Sequence, residues 1–143
     1  INRLYELVGT GEQALRVLAL VIILVSGLSI FISLFTSLKE RRYELALMRV
    51  QGAGQPKLFF LIVLEGLLLA IMGYLGGMLL SHGGMQLLAN KLKQTYGYDF
   101  SAWTFLPQEA YLFIGSIVLG IIAAVIPAIQ AARTDIADTL TRN

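Results

Sequence analysis

Two ionisable side chains sit within one apolar run, and they frame the chemistry open to this chain. Glu65 interrupts the run 58–90, and His82 follows beside Gly83 and Gly84. A carboxylate in a membrane helix is costly, so it marks a transport path, a coupling site or a paired structural position. Glu65 lies about 12 Å past Lys57 at a helical rise of ~1.5 Å per residue, within reach of a basic partner at the membrane edge. A structural role there and a role in coupling both remain open. A proton relay needs more ionisable groups than the chain supplies. The one dense patch of charge is the stretch Leu38–Lys57, with Lys39, Arg41, Arg42, Arg49 and Lys57 against Glu40 and Glu44.

Other chemistry is poorly served. There is no cysteine, so thiolate metal sites and disulfides are excluded, and the single histidine cannot build a metal site alone. No nucleophile or acid–base constellation is present. No G-x-x-x-x-G-K-[ST] occurs, so the chain is not expected to cradle ATP phosphates or to bind a cofactor. It is not expected to be an enzyme or to have a nucleic-acid partner.

The elements that position these residues are membrane helices. The 143 residues are 57% hydrophobic and 14% charged, with mean hydropathy +0.74. That is too little charge to cover a soluble domain of this size. Val17–Leu38 is 22 residues without a charge and Ala110–Ala132 is 23. The shorter of these spans about 33 Å, enough for a hydrocarbon core of ~30 Å. The expected architecture is therefore all-α, with three transmembrane helices at 17–38, 58–90 and 110–132. Between them lie a cytoplasmic loop at 39–57 and an external loop at 91–109. Residues 1–16 form an external segment, with Gly9 and Gly11 breaking any helix, and 133–143 a cytoplasmic tail. The basic residues concentrated in 39–57, with Arg133 and Arg142 in the tail, place both on the cytoplasmic side. Residue 1 is then external. The chain starts at Ile1 with no signal pattern ahead of the first apolar run, which leads us to expect a piece of a larger polypeptide.

Within the helices, Ser26, Ser29, Ser33 and Ser37 fall near one face of the first. Gly66, Ala70, Gly73, Gly77 and Ser81 form a small-residue stripe on the second, with Gly73 and Gly77 in G-x-x-x-G register. Small residues let backbones approach closely in lipid. Packing within this chain and packing against a second membrane subunit are both open. The loop 91–109 carries Tyr96, Tyr98, Phe100, Trp103 and Phe105, an interfacial belt or a contact for an external partner. Pro107 and Glu109 suit the first turn of the last helix.

The middle of the loop 39–57 reads as a short helix. Tyr43, Ala46, Leu47 and Val50 share one face by the i, i+3, i+4, i+7 rule, and Leu45 and Met48 lie roughly opposite. Glu44 near its start and Arg49 near its end suit the helix dipole. Gly52 is a C-terminal cap, and Pro56 fits the first turn of the next helix. One apolar patch can pack on the bundle or lipid. The other needs a cytoplasmic protein.

The segment E-R-R-Y-E-L-A-L-M-R-V-Q-G-A-G from Glu40 to Gly54 resembles the loop of FtsX-like (MacB-type) permeases of ABC transporters. Two further matches follow in order: Glu65 in L-E-G with Gly73, Gly76 and Gly77 beyond it, then Pro127, Ala128, Ala131, Ala132, Arg133, Asp135 and Leu140. Together they cover roughly residues 15–143. The departures are Ala137 and Ile136, the latter standing where the family usually has proline. The resemblance implies the last three of four membrane helices, with an external domain before them. It implies a coupling helix seated in a cytoplasmic ABC ATPase that holds ATP and Mg, and a second permease as homo- or heterodimer partner. A periplasmic adaptor, hydrolase or lipoprotein completes such systems, in the bacterial inner membrane. ATPase contacts would then come from Glu40, Arg41, Tyr43, Glu44, Leu45, Leu47, Met48, Arg49 and Gly52. Helix packing or dimer contacts would come from Ser26, Ser29, Ser33, Gly66, Gly73 and Gly77, and coupling from Glu65. The function implied is mechanotransmission, export or lipoprotein release. The alternatives are an envelope scaffold signalling to periplasmic hydrolases and an ion-coupled transporter.

Overall fold

The computed structural model describes residues 2–97 and 104–133. They form α1 (Asn2–Glu40), α2 (Arg42–Val50), α3 (Gln55–Tyr96) and α4 (Pro107–Ala132), with no strand among the described residues. Three of these, α1, α3 and α4, are long and apolar enough to cross a membrane. The chain is an all-α, multi-pass membrane protein. Tyr98, Phe100, Trp103, Asp135, Ile136, Ala137, Leu140 and Arg142 lie outside the described residues.

The first helix corrects one expectation. Gly9 and Gly11 do not break it, and α1 runs unbroken from Asn2 for 39 residues. Glycine costs a helix only ~1 kcal/mol relative to alanine, less than a long helix recovers by propagation. Local side-chain bonds flank the glycines: Thr10 Oγ1 donates to the Glu6 carbonyl at 2.7 Å, across Gly9, and Arg16 pairs with Glu12 at 2.6 Å in the turn that follows Gly11.

The third helix likewise extends past Asn90, making the first part of the 91–109 segment helical. It stops at Gly97, whose φ of 71° closes the helix in the left-handed conformation with its N–H bonded to the Lys93 carbonyl. At ~1.5 Å per residue α1 and α3 are about 58 and 63 Å long, roughly twice a hydrocarbon core.

The bundle is built on α3 and α4, with α1 leaning mainly on α4. The crossing of α3 and α4 is made of small residues. A Cβ on Gly66 would lie 2.7 Å from the Ala124 Cβ and 3.1 Å from the Gly120 carbonyl oxygen. One on Gly120 would lie 2.6 Å from the Ala70 Cβ. Leu34 of α1 closes the same crossing, its Cδ1 3.2 Å from the Cβ position of Gly66. In lipid no hydrophobic force drives helices together, so such backbone-close contact is how they associate.

Candidate coupling site at the helix junction

All four helices meet at one end of the bundle. Leu38 of α1, Leu45 of α2, Leu58 and Ile62 of α3, and Ala128 and Ala131 of α4 form a single buried cluster. Ala131 and Ala128 are fully enclosed, as is Pro127 one residue earlier. Small residues on α4 leave the groove into which α2 is wedged.

The helix α2 itself is set at both ends by backbone geometry. Arg41 is a one-residue joint after α1, and the hydrogen-bond ladder runs through it. Its N–H donates to Ser37 O at 3.0 Å, and its carbonyl accepts from Leu45 N–H at 3.0 Å. At the other end the Gly52 N–H bonds Arg49 O and the Ala53 N–H bonds Met48 O, both at 3.0 Å. That pairing is a Schellman closure, and it requires the left-handed φ of 95° at Gly52. Glu44 lies in the first turn and Arg49 in the last, as the dipole favours.

The two faces of α2 are not those of the helical wheel. Leu45 and Ala46 point inward, 3% and 0% exposed. Leu45 therefore packs in the bundle, whereas Met48 is exposed. Ala46 likewise separates from Tyr43, Leu47 and Val50, which stay exposed. The reason is that consecutive residues stand about 100° apart on a helix, so the arc turned to the bundle takes in Leu45 and Ala46 together and leaves the rest of α2 outside it. Outside that arc, Met48 joins Gln51, Gly52, Ala53, Lys57, Leu58 and Leu61 around a cleft of about 340 Å³. Glu40, Arg41, Tyr43, Glu44, Leu47 and Met48 are exposed, and Arg49 is half-buried.

Glu65 has a partner. Its Oε2 lies 3.6 Å from Arg41 Nη1, while Arg41 Nε lies 3.3 Å from Glu44 Oε2. One guanidinium thus joins the first turn of α2 to the first quarter of α3. The planar fork makes such a double engagement natural for arginine.

The remaining sequence candidates divide. Gly66 packs within the chain, while Gly73 and Gly77 have nothing within 4 Å of their Cβ positions. Ser26, Ser29 and Ser33 are exposed. Ser26 and Ser29 turn back on their own helix, to Ile22 O at 2.7 Å and Val25 O at 2.8 Å. Among the described residues, Ser26, Ser29, Ser33 and the glycine pair therefore face open space.

A second polar cluster lies at the far end and was not anticipated. His82 Nε2 sits 3.4 Å from Glu109 Oε1, and His82 Nδ1 sits 3.1 Å from Met78 O. Both ring nitrogens therefore face acceptor oxygens. Tyr74 donates its hydroxyl to the Glu109 carbonyl at 3.1 Å, and Phe105 lies against the histidine ring, centroids 5.4 Å apart. The sequence signal was available: a histidine in an apolar run and an acid opening the next helix. Their meeting depends on how α3 and α4 pair.

A multi-pass helical module with an amphipathic helix wedged where its membrane helices converge is the architecture of a transporter permease domain. The model of the FtsX-like permease C-terminal domain matches residues 16–136. This chain belongs to the FtsX-like permease family. It is 28% identical over 125 residues to the pyoverdine export ATP-binding/permease protein PvdT of Pseudomonas syringae pv. syringae, covering 87% of this chain. It is 26% identical over 135 residues to the macrolide export ATP-binding/permease protein MacB of Acinetobacter baylyi, covering 93% of this chain. A MacB of Burkholderia pseudomallei is 26% identical over 137 residues, or 94% of the chain. The matched region is 18% of PvdT and 20% of each MacB, so the chain spans a minor part of these relatives.

Proposed function

We propose that this chain is the part of an ABC transporter permease that receives a cytoplasmic ATPase at α2 and converts its ATP-driven closure into movement of α1 and α3. The observation that carries this reading is the two-sidedness of α2. Leu45 and Ala46 anchor it in the bundle, while Tyr43, Leu47, Val50 and the cleft beside Met48 remain uncovered. A helix held that firmly on one side passes on a push delivered from the other. Glu40, Glu44, Arg49 and Gly52 rim the uncovered side and supply its polar contacts. ATP and Mg belong to the ATPase, on a separate chain or, as the names of the relatives suggest, on the same polypeptide.

The lengths of α1 and α3 support mechanotransmission. Both overhang a bilayer by tens of ångströms, as levers reaching an external domain would. Ser26, Ser29, Ser33, Gly73 and Gly77, unpacked within the chain, suit contact with a second permease in the dimer. The excess of basic residues in 39–57 supports a cytoplasmic α2 in a bacterial inner-membrane protein. A periplasmic adaptor, hydrolase or lipoprotein then receives the motion.

The test is Met48→Glu in the full-length protein. A carboxylate in the cleft should abolish ATPase co-purification, or permease-dependent hydrolysis where both parts share a chain, with membrane insertion intact. Unchanged recovery of the ATPase would sink the assignment.

A further inference from the structure

We propose that Arg41 is a positioning residue that hands displacement of α2 to the α3–α4 crossing through Glu65. The proposal rests on the reading of α2 as the ATPase-driven element. The backbone routes out of α2 are unequal. Toward α1 the hydrogen-bond ladder continues through Arg41, from Ser37 O to Leu45 N–H, so α1 and α2 share a joint without slack. Toward α3 the chain passes through residues 51–54, with two glycines, one at φ 95°. A turn of that kind transmits force poorly.

Arg41 bypasses the turn. Its guanidinium engages Glu44 at 3.3 Å on α2 and Glu65 at 3.6 Å on α3. Glu65 directly precedes Gly66, where a Cβ would meet Ala124 of α4, the Gly120 carbonyl and Leu34 of α1 within 3.2 Å. A shift of Glu65 therefore moves Gly66, where α3 meets the α4 backbone closely and the Leu34 side chain of α1 packs against the crossing. Ion pairs with this exposure add little to stability, ~0–1 kcal/mol. The geometry of the link, rather than its strength, is what the molecule uses.

The experiment uses the full-length permease with its ATPase in nanodiscs. Nitroxide labels on Leu15→Cys in α1 and Leu87→Cys in α3, both exposed, report the spacing of the far halves with and without Mg-ATP. The unmodified protein should show an ATP-dependent shift. Glu65→Gln should retain ATPase recovery and hydrolysis and lose most of that shift. The exchanged pair Arg41→Glu with Glu65→Arg should restore it. A full shift in Glu65→Gln overturns the proposal, and so does loss of ATPase recovery, which would make Glu65 a support for docking. If Glu65→Gln fails to insert, the exchanged pair decides: a retained shift supports the link and a lost shift overturns it. Absence of an ATPase or of any shift in the unmodified protein refutes the functional reading itself, and this proposal with it.

Discussion

The two ends of the bundle are built on opposite principles. At the α2 end, residues from all four helices close into one buried cluster, and α3 and α4 touch through Gly66 and Gly120. Toward the far end, Gly73, Gly76, Gly77, Gly83 and Gly84 find no neighbour within 4 Å of their Cβ positions. There α1 is exposed from residue 8 to residue 26, and its close approach to α4 begins at Gly27, beside Leu119. The same residue type, glycine on one face of one helix, is a tight contact at one end and an open surface at the other. The far end is linked by the His82–Glu109 contact and the Tyr74 hydroxyl on the Glu109 carbonyl, with ring contacts of Tyr74 to Phe113 and His82 to Phe105 beside them. A module clamped at one end and tied sparingly at the other suits force entering at the clamp and amplitude appearing beyond it.

Four substitutions bear on that contrast, beginning with the one expected to matter most. Leu45→Ala removes a side chain buried among four helices and should cost about 2–5 kcal/mol. It should lower the unfolding midpoint in detergent and loosen α2, seen as faster proteolysis at 51–54. Gly66→Val drives a branched side chain against Ala124 and the Gly120 backbone, and overpacking of this kind costs ~1–3 kcal/mol or more. The same denaturation measurement should rank it far above any glycine of the far half. Gly52→Ala forces an L side chain into φ 95°, at about 1–2 kcal/mol; thermal melts should register it, and a neutral result would mean the Schellman turn is not the resting state. Gly77→Ala should stay within ~0.5 kcal/mol for the isolated chain. If instead Gly77→Ala destabilised the isolated chain as Gly66→Val does, the contrast between the ends would collapse. A Gly77→Ala that spares the monomer but weakens permease pairing would assign that face to the partner.

Much of this was legible in residue order. The apolar runs, the short amphipathic helix, its glycine closure and Pro56 at the start of α3 follow from composition and local spacing, since each depends on residues within a few positions of one another. Which face of α2 is inward did not follow. The wheel grouped Leu45 with Met48 because angle around a helix axis carries no information on what surrounds it. Gly66 and Gly77 were likewise equivalent on one stripe, and only the placement of Gly120 and Ala124 separates them. Gly9 and Gly11 misled because single-residue propensity is weak against a long helix already propagating through them.

Residue order alone made this chain a three-span membrane protein with a basic, two-faced helix between the first spans. Hydrophobic length and charge asymmetry are properties of the linear chain and need no neighbour to be read. The fold decided the rest: that Arg41 reaches Glu65, that His82 meets Glu109, and that Leu45 and Ala46 rather than Met48 hold α2 in place. Each of those depends on distances between helices far apart in sequence, and in lipid those distances are set by where small residues allow backbones to touch.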